Sequence, residues 1–390
     1  MMSLSVLKII LLAGGLQGVI LGFLLFSRQA NQAANRVFAV LLWLLSVHLV
    51  LVGFDNRDFM MRFPHFSHLT WVLPALYGPL ALVFLRRMTQ LAPRPSWREG
   101  LYFIPFLIVL GLQLPYLLQS AAAKRAYLDD YASSVQDDFG LSNQLVNFIH
   151  LFFFGWCILV YRAHEKRIRD FYSDLSKVRL DWLGQFLYIA FAIVVLSIFV
   201  FYARKFDWPF LSAFYPWHFL GVVAVIYWTA YRALAQPMLF TGEEASAASA
   251  GLSDAIFLFP EESAEQKKAP DDPQRKALAE KLVQIMELER LYLNSELTVQ
   301  DLVNRLQANR QYISEALNLH LGKTFYDFVN DYRVEAFQRL AKDPAHGHYT
   351  ILGLALEAGF NSKATFNAIF KKKVGMTPSE YIRRIKMSLN

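Results

Sequence analysis

Cysteine is almost absent from this sequence of 390 residues, which contains only Cys157. A single thiol excludes a disulfide framework or a cysteine-based metal site within one chain. Because Cys157 lies inside an apolar run, we predict that it packs as a small hydrophobe. No spacing is typical of a haem, a zinc enzyme or a catalytic nucleophile. The sequence therefore predicts no catalytic residue, no cofactor and no metal, and the protein is not expected to be an enzyme.

Charge is also scarce, since 18% of the residues are charged, 55% are hydrophobic and 15% are aromatic. A soluble domain carries about 25% charged residues, so at least part of the chain is expected to lie in a membrane. Long apolar runs fill residues 1–236 and are absent from the C-terminal part. Two physically different domains are therefore predicted. The net charge of +7 suits an anionic membrane surface and nucleic acid alike.

Seven apolar runs approach or exceed the roughly 20 residues that a helix needs to cross a bilayer. They are Leu4–Phe26, Val37–Phe54, His65–Leu85, Leu101–Leu118, Leu145–Tyr161, Trp182–Tyr202 and Trp217–Leu234. The first run is kept as a helix, because Lys8 is its only positive charge and no clear signal-peptide cleavage site follows. We predict a seven-helix transmembrane domain over residues 1–236.

The loops between these runs differ in charge. Loops one, three and five carry twelve Lys or Arg residues, whereas loops two, four and six carry six. Cytoplasmic loops are enriched in Lys and Arg, so the odd loops are expected inside. The N-terminus then lies outside, and the C-terminal domain faces the cytoplasm. The predicted location is the inner membrane of a bacterium, as a multi-pass protein in contact with the lipid bilayer.

Three glycines, Gly14, Gly18 and Gly22, repeat at a spacing of four residues in the first run. They share one helix face, where missing side chains allow another helix to approach closely. Two interpretations are open: packing within the bundle, or a homodimer contact.

Polar side chains collect in the predicted outer half of the bundle, where they are costly unless paired or lining a cavity. The candidate ligand-pocket residues are His48, His65, His68, Gln113, Asn147, His150 and His218. Three interpretations are open: interfacial or packing side chains, a pocket for an organic small molecule, or a metal shared by His65 and His68 at i and i+3.

Residues 237–270 are rich in Ala, Ser and Glu and predict a flexible cytoplasmic linker. Beyond them, Asp272 and Pro273 predict a helix start. The pattern [ST]-x-x-[DE], which caps helix N-termini, then begins at Thr298, Thr324 and Thr377. The region 271–390 is therefore expected to contain several short helices.

Two helix-turn-helix units are predicted in this region. In the first, at about 298–318, the apolar positions flank a polar turn at residues 307–309. In the second, at about 350–373, Gly359 makes the turn, Phe360 is an apolar plug, and Ser362 caps the second helix. One longer helix over Phe325–Leu340 separates the units. The predicted fold class of the whole chain is all-α.

Three stretches of this region are distinctive: FYDFVNDYRV (325–334), AGFNSKATFN (358–367) and FKKKVGMTPSEY (370–381). Through these residues the region closely resembles the AraC/XylS family of bacterial transcription regulators. The resemblance spans about 291–386 and includes none of the membrane half. The resemblance implies an all-helical domain that binds double-stranded promoter DNA, often as a homodimer, and commonly activates transcription, with RNA polymerase as an expected partner.

The register of the resemblance predicts the residues that face DNA. They are Asn309, Arg310, Gln311, Ser314 and Glu315 in the first recognition helix, and Ser362, Lys363, Ala364, Thr365, Ala368, Lys371 and Lys372 in and after the second. Lys373, Arg383, Arg384 and Lys386 add to the positive charge of the C-terminal end, and some of these side chains are expected to contact phosphates.

The leading hypothesis is a one-component regulator in which the bundle senses an unknown small-molecule ligand or signal and controls DNA binding. Neither a histidine-kinase core nor a receiver domain is recognised in the sequence. One alternative is a transporter or membrane enzyme that reports its occupancy to a promoter, for which Pro74, Pro79, Pro105 and Pro115 permit broken helices. Another is a passive membrane anchor on a DNA-binding domain.

Overall fold

The computed structural model describes residues 4–89, 97–130, 137, 139–175, 180–235 and 273–389. The chain divides into two compact units. Unit 1 comprises Met1–Arg162 and Leu180–Pro260, and unit 2 comprises Ala163–Arg179 and Glu261–Asn390. The predicted linker at 237–270 lies outside the described residues.

Every regular element in the described ranges is a helix, and the only β pairing there is an isolated bridge between Tyr172 and Thr298. The predicted all-α fold class is therefore confirmed. The α-helices of the N-terminal part are α1 (Leu4–Ser27), α2 (Gln32–Gly53), α3 (Arg57–Arg62), α4 (Leu69–Val72), α5 (Tyr77–Thr89), α6 (Ile104–Leu117), α7 (Ala121–Asp129), α8 (Leu141–Phe171), α9 (Asp181–Lys205), α10 (Pro209–Ser212) and α11 (His218–Ala235).

Seven helical stretches of the described residues are long and apolar enough to cross a membrane, as predicted. They are Ser5–Ser27, Gln32–Gly53, Pro64–Thr89, Trp97–Leu117, Leu141–Phe171, Asp181–Lys205 and His218–Ala235. Their aromatic side chains build the core of unit 1. Phe38 of α2, for example, stacks on Phe84 of α5 at 4.7 Å between ring centres and meets Phe186 of α9 edge-on at 6.3 Å.

The third and fourth stretches are not single regular α-helices. The third passes through a 3-10 turn at Pro64–Phe66, the short α4, and a second 3-10 turn at Leu73–Leu76 before α5 begins. The fourth begins as a 3-10 helix at Trp97–Phe103. Proline has no backbone N–H and disfavours an α-helical residue before it, so Pro64 and Pro74 account for the interruptions in the third stretch.

Two short helices, α3 and α7, follow the second and fourth stretches and were not predicted. Each begins at a side chain that satisfies a free backbone N–H. The Asn56 carboxamide oxygen accepts from the N–H of Phe59 at 3.0 Å, and the Ser120 hydroxyl oxygen accepts from the N–H of Ala123 at 3.3 Å.

The glycines of α1 face other helices of unit 1. A methyl group added at Gly14 would lie 3.0 Å from Val223 of α11, and one added at Gly18 or Gly22 would collide with Ser46 or Trp43 of α2. These contacts favour packing within the bundle over the homodimer interpretation, because the glycine face is already occupied by α2 and α11.

The C-terminal helices of unit 2 follow the predicted order. They are α12 (Pro273–Glu289), α13 (Val299–Leu306), α14 (Arg310–His320), α15 (Phe325–Lys342), α16 (Ile351–Glu357), α17 (Lys363–Val374) and α18 (Pro378–Leu389). The predicted caps are present. Thr298 forms a reciprocal capping box with Asp301, and Thr324 caps α15. At α18, the N–H of Thr377 donates to the Glu380 carboxylate, and this hydrogen bond lowers the pKa of Glu380.

Aromatic side chains join α15 to the second half of unit 2. Phe337 of α15 lies 4.6 Å from Phe366 and 5.2 Å from Phe370, both on α17, between ring centres. Phe360, the predicted plug, packs on Phe366 at 5.1 Å. All four rings are at most 2% exposed, so α15 and α17 share one core.

Candidate nucleic-acid interface

The first helix-turn-helix unit consists of α13, a turn, and the recognition helix α14. Gln307 turns the chain in the left-handed conformation (φ 50°). Asn309 then caps α14, because its side-chain oxygen accepts from the N–H of Gln311 at 2.9 Å. Ile313, Ala316 and Leu317 point into the core, which leaves Gln311, Tyr312 and Asn318 on the exposed face.

The predicted DNA-facing side chains of α14 form hydrogen bonds and an ion pair with other side chains of the protein. The Arg310 guanidinium donates to the Gln300 side-chain oxygen at 2.7 Å and is half-buried. Burial lowers the pKa of Arg310. Gln311 donates to the Glu315 carboxylate at 2.9 Å, and Glu315 also pairs with Arg275 of α12 at 2.9 Å. Ser314 accepts hydrogen bonds from Asn318.

The second helix-turn-helix unit consists of α16, a glycine turn, and the recognition helix α17. Gly359 has a φ of +90°, which side chains disfavour. A methyl group at this position would also lie 2.3 Å from the carbonyl oxygen of Tyr292. Both the backbone conformation and the lack of space for a side chain therefore require glycine at this position.

Recognition helix α17 begins at Ser362, as predicted. The Ser362 hydroxyl oxygen accepts from the N–H of Thr365 at 3.2 Å, and Ser362 donates to the Thr365 hydroxyl at 2.9 Å. The Thr365 hydroxyl is thus engaged in the cap. Lys363, Ala364 and Ala368 are exposed.

Sequence reasoning missed Asn367, which lies on the same exposed face of α17 as Ala364, Ala368 and Lys371, at the i, i+3, i+4, i+7 spacing of one helix face. An asparagine can pair with the edge of adenine in the major groove. The spacing in the sequence could have identified Asn367, because it lies one helical turn beyond Ala364.

The lysines at the end of α17 fall into two groups. Lys371 is exposed, and the Lys372 side chain is 65% exposed, with its amine 3.9 Å from Asp327 of α15. Lys373 pairs with Asp331 of α15 and lies 3.7 Å from Asp327 of the same helix, so it ties α17 to α15. Lys371 and Lys372 are therefore better placed than Lys373 to meet a phosphate.

The buried polar side chains of α15 organise the centre of unit 2. Arg333 is 1% exposed and donates to the backbone carbonyls of Tyr292 at 2.9 Å and Asn294 at 2.8 Å. Burial lowers the pKa of Arg333 to about 10, so this guanidinium is protonated at neutral pH. Arg333 thereby fixes the chain that precedes the first unit against the helix that separates the two units.

Two pairs of short helices, each joined by a tight turn and separated by one long helix, define a DNA-binding domain with two helix-turn-helix units. The family model of the helix-turn-helix domain matches residues 302–384. The C-terminal part of the chain contains an AraC-type helix-turn-helix domain, and the resemblance found in the sequence is confirmed for this part.

Curated relatives match the chain over about a quarter of its length. "Transcriptional regulatory protein HptR" of Staphylococcus aureus (strain NCTC 8325 / PS 47) is 29% identical over 104 residues, which cover 26% of this chain and 39% of that protein. "Uncharacterized response regulatory protein SERP2406" of Staphylococcus epidermidis is 31% identical over 103 residues, with the same coverage. The chain thus spans about two-fifths of the length of these relatives. No solved structure matches it.

The residues of the predicted ligand pocket form two clusters in unit 1. In one, a ring nitrogen of His48 lies 2.6 Å from the Tyr77 hydroxyl, and the Tyr77 ring stacks on His150. The rings of His48 and His218 both contact Phe219. Asn147 is half-buried, and its amide nitrogen has no hydrogen-bond partner among the described residues.

The second cluster is centred on His68, which stacks between Trp71 and Tyr116 at 3.7 and 3.8 Å. His68 is hydrogen-bonded to Gln113 at 3.0 Å, and His65 instead lies 3.3 Å from the Lys124 amine. His65 and His68 therefore have different partners. The described residues contain no group of three or more His, Cys, Asp or Glu side chains that could hold a metal ion.

A cavity of about 540 Å³ lies elsewhere in unit 1, between α1, α2, α5 and the 3-10 helix at Trp97–Phe103. Val37, Leu80 and Phe103 are among its lining residues, and none of the predicted ligand-pocket residues is. The ligand pocket stays a prediction.

Proposed function

We propose that the chain is a membrane-bound, one-component transcription regulator. Its C-terminal domain binds promoter DNA in the bacterial cytoplasm, and its seven-helix bundle, in the inner membrane, senses a ligand or signal. The observation that carries the proposal is the exposed face of α17, where Lys363, Ala364, Ala368 and Lys371 follow a helix-turn-helix turn made by Gly359. The relatives, named as regulatory proteins, support it.

The side chains of α17 fall into two groups, one suited to contacts with bases and the other to contacts with phosphates. Ala364 and the methyl group of Thr365 suit contact with thymine methyl groups, and Asn367 suits an adenine edge. Lys363, Lys371 and Lys372 suit phosphates, which provide affinity without sequence information. Because each neutralised phosphate releases counterions, affinity is expected to fall steeply as salt is raised.

Two recognition helices on one spacer helix suit successive major grooves, about 34 Å apart on one face of the duplex. A homodimer would place two such domains on paired sites, and RNA polymerase is the expected partner at the promoter. The bundle supplies the signal in this proposal, with the His48 and His68 clusters as candidate positions for a small-molecule ligand.

Genome-wide DNA occupancy of the full-length protein in its native membrane tests the proposal. The comparison variant carries Lys363→Glu and Thr365→Asp, and the control carries Lys281→Glu, a lysine-to-glutamate reversal on an exposed position of α12. We expect a few promoters to be enriched by the wild type and by the control, and lost by the variant. Normal expression of all three proteins without any enriched promoter would contradict the proposal.

Replacing the bundle with an unrelated membrane anchor tests the sensing role separately. A receptor loses its response to the inducing signal, while the DNA-binding domain keeps its target promoters. A chimera that responds as the wild type does would show that the bundle is a passive anchor.

A further inference from the structure

The end of α8 and the residues that follow it contribute a segment to unit 2. Helix α8 has 31 residues. At 1.5 Å per residue this is about 46 Å of helix, longer than the hydrocarbon layer of about 30 Å. The division between the compact units falls inside α8, and Ala163–Arg179 is grouped with the C-terminal residues. We call residues 163–175, the described part of this group, the docked segment.

Ser173 anchors the docked segment beside the first helix-turn-helix unit. Its backbone N–H and its hydroxyl both donate to the carbonyl oxygen of Leu297, at 3.4 and 2.5 Å. The preceding residue, Tyr172, forms an antiparallel bridge with Thr298, the cap of α13. Ser173 is 1% exposed, so this contact is part of the interior of unit 2.

Two side chains of α15 complete the site around Ser173. Arg333 donates to the Ser173 carbonyl at 3.2 Å and to its hydroxyl at 3.0 Å, and Asn330 donates to the same carbonyl at 3.0 Å. Arg333 and Asn330 are 1% and 0% exposed. If Ser173 left, these buried donors would lose acceptors, so the site is specific for a segment that offers a carbonyl and a hydroxyl.

The docked segment also touches the first recognition helix. The guanidinium carbon of Arg310 lies 4.7 Å from the centre of the Phe171 ring, a cation–π contact. Next to Phe171, the Asp170 side chain interacts with Asn318, two turns further along α14. Phe171 packs against the core of unit 2 as well.

We propose that the docked segment is the regulatory contact of the DNA-binding domain: while it is docked it restrains the first recognition helix, and its displacement frees Arg310 for DNA. The inference rests on the proposed function and adds to it the surface through which the bundle acts. The occupant of this surface is a piece of the chain itself, namely the end of α8, the helix of the fifth candidate span, and the residues that follow it.

Charge and geometry set the direction of the effect. Arg310 is a predicted DNA contact, but Phe171 and Gln300 hold its guanidinium. The Asp170 carboxylate adds negative charge beside a helix that must approach phosphates, which weakens binding. Docking therefore lowers DNA affinity, and a signal that moves the fifth span reaches α14 along the chain. Allosteric couplings of this kind typically change affinity about 5- to 150-fold.

The first test measures the affinity of purified full-length protein in lipid nanodiscs for the genomic fragment most enriched in the occupancy experiment. Phe171→Ala removes the ring under Arg310 and is expected to raise affinity about two- to tenfold, the size of a cation–π contact. Asp170→Asn keeps the shape, removes the charge, and is expected to raise affinity by a smaller factor. Phe148→Ala, at a 65% exposed position of the same helix outside the docked segment, is the control with no expected change.

A double-mutant comparison tests whether Phe171 acts through Arg310. In an Arg310→Ala background, Phe171→Ala is expected to have no further effect, because the side chain it frees is gone. Unchanged affinity in both Phe171→Ala and Asp170→Asn, while the variant with Lys363→Glu and Thr365→Asp still loses binding, would overturn the inference and leave the proposed function intact. Absence of DNA binding by the wild type itself would overturn both.

Cross-linking tests docking without measuring affinity. Asp170→Cys and Asn318→Cys, in a Cys157→Ala background, are treated with a short bis-maleimide, and mass spectrometry quantifies the linked peptides. We expect a cross-link in the free protein and a several-fold lower yield once the enriched fragment is added. An equal yield with and without DNA would contradict the proposed competition.

Discussion

The two helix-turn-helix units have the same plan but different surroundings. In the first, the predicted DNA-facing side chains of α14 contact protein groups: Arg310 contacts Gln300 and Phe171, and Glu315 pairs with Arg275. In the second, Lys363, Ala364 and Ala368 of α17 are exposed. Under the proposed function, this difference predicts that the second unit supplies most of the resting affinity and that the first unit is the one under control.

The turns of the two units differ as well. Gln307 adopts a left-handed conformation at a φ of 50° in the first, whereas the second needs Gly359 at +90° against the Tyr292 carbonyl. A side chain is tolerated in the first turn because its position is exposed. The second turn is therefore the more sensitive of the two to substitution.

The largest expected effect comes from Gly359→Ala. The new methyl group meets the Tyr292 carbonyl and forces a disfavoured φ, so we expect the free energy of unfolding of unit 2 to fall by about 2 to 4 kcal/mol. The control is Gly375→Ala, where φ is +79° and nothing lies within 4 Å of the added carbon, so that only about 1 to 2 kcal/mol is expected. Hydrogen exchange of α17 during chemical denaturation measures the loss of stability in both variants. Equal losses would contradict the close contact.

The next effect separates the two recognition helices directly. Lys363→Ala is expected to weaken DNA binding about tenfold or more, because one exposed phosphate or base contact is worth about 1 to 3 kcal/mol. Arg310→Ala is expected to cost less in the resting protein, since its guanidinium is already held by Phe171 and Gln300. Fluorescence anisotropy of the full-length protein with its enriched fragment measures both. A larger loss for Arg310→Ala would reverse the assignment of the two units.

Removal of a cap has a smaller effect. Ser362→Ala deletes the acceptor for the N–H of Thr365 and is expected to cost about 1 kcal/mol of stability. Thr298→Ala removes the equivalent cap of α13 and is expected to cost a similar amount. DNA affinity should fall only for Ser362→Ala, since α17 carries the exposed contacts. Thermal unfolding and anisotropy on the same samples distinguish stability from binding.

The smallest effect has the opposite sign. Glu315→Gln removes a carboxylate from the predicted DNA-facing side of α14 and its ion pair with Arg275, so we expect affinity to rise about two- to fivefold at low salt. The gain should shrink at high salt, because screening weakens it. Asp343→Asn, an exposed carboxylate near the end of α15, is the control for a general charge effect. A loss of affinity in Glu315→Gln would instead support a direct contact between Glu315 and a cytosine.

The elements of the C-terminal domain could be predicted from the sequence because their signals are local. Thr298, Thr324 and Ser362 each cap a helix through an atom three residues away, and all three caps are present. The seven candidate spans follow equally from the length and composition of apolar runs. Pro74 permitted a break in the third run, but its position emerged only from the structure.

The contacts that cover α14 could not be predicted, because they join residues far apart in the chain. Ser173 and Arg333 are 160 residues apart. Their hydrogen bonds use backbone carbonyls and a hydroxyl, which leave no periodic pattern in a sequence. Arg310 was assigned to DNA from the register of the resemblance, and nothing local indicated that Phe171 would lie on its guanidinium.

Because Ser173 is buried in unit 2, the interior of this unit is built from two segments that are far apart in the chain. If a protease cut the chain between residues 237 and 270, Leu297, Asn330 and Arg333 of the cleaved domain would still hold Ser173 of the N-terminal fragment. Release of the domain by proteolysis would therefore require undocking as well as cleavage. The same step that is proposed to free Arg310 for DNA would decide whether the domain can diffuse away.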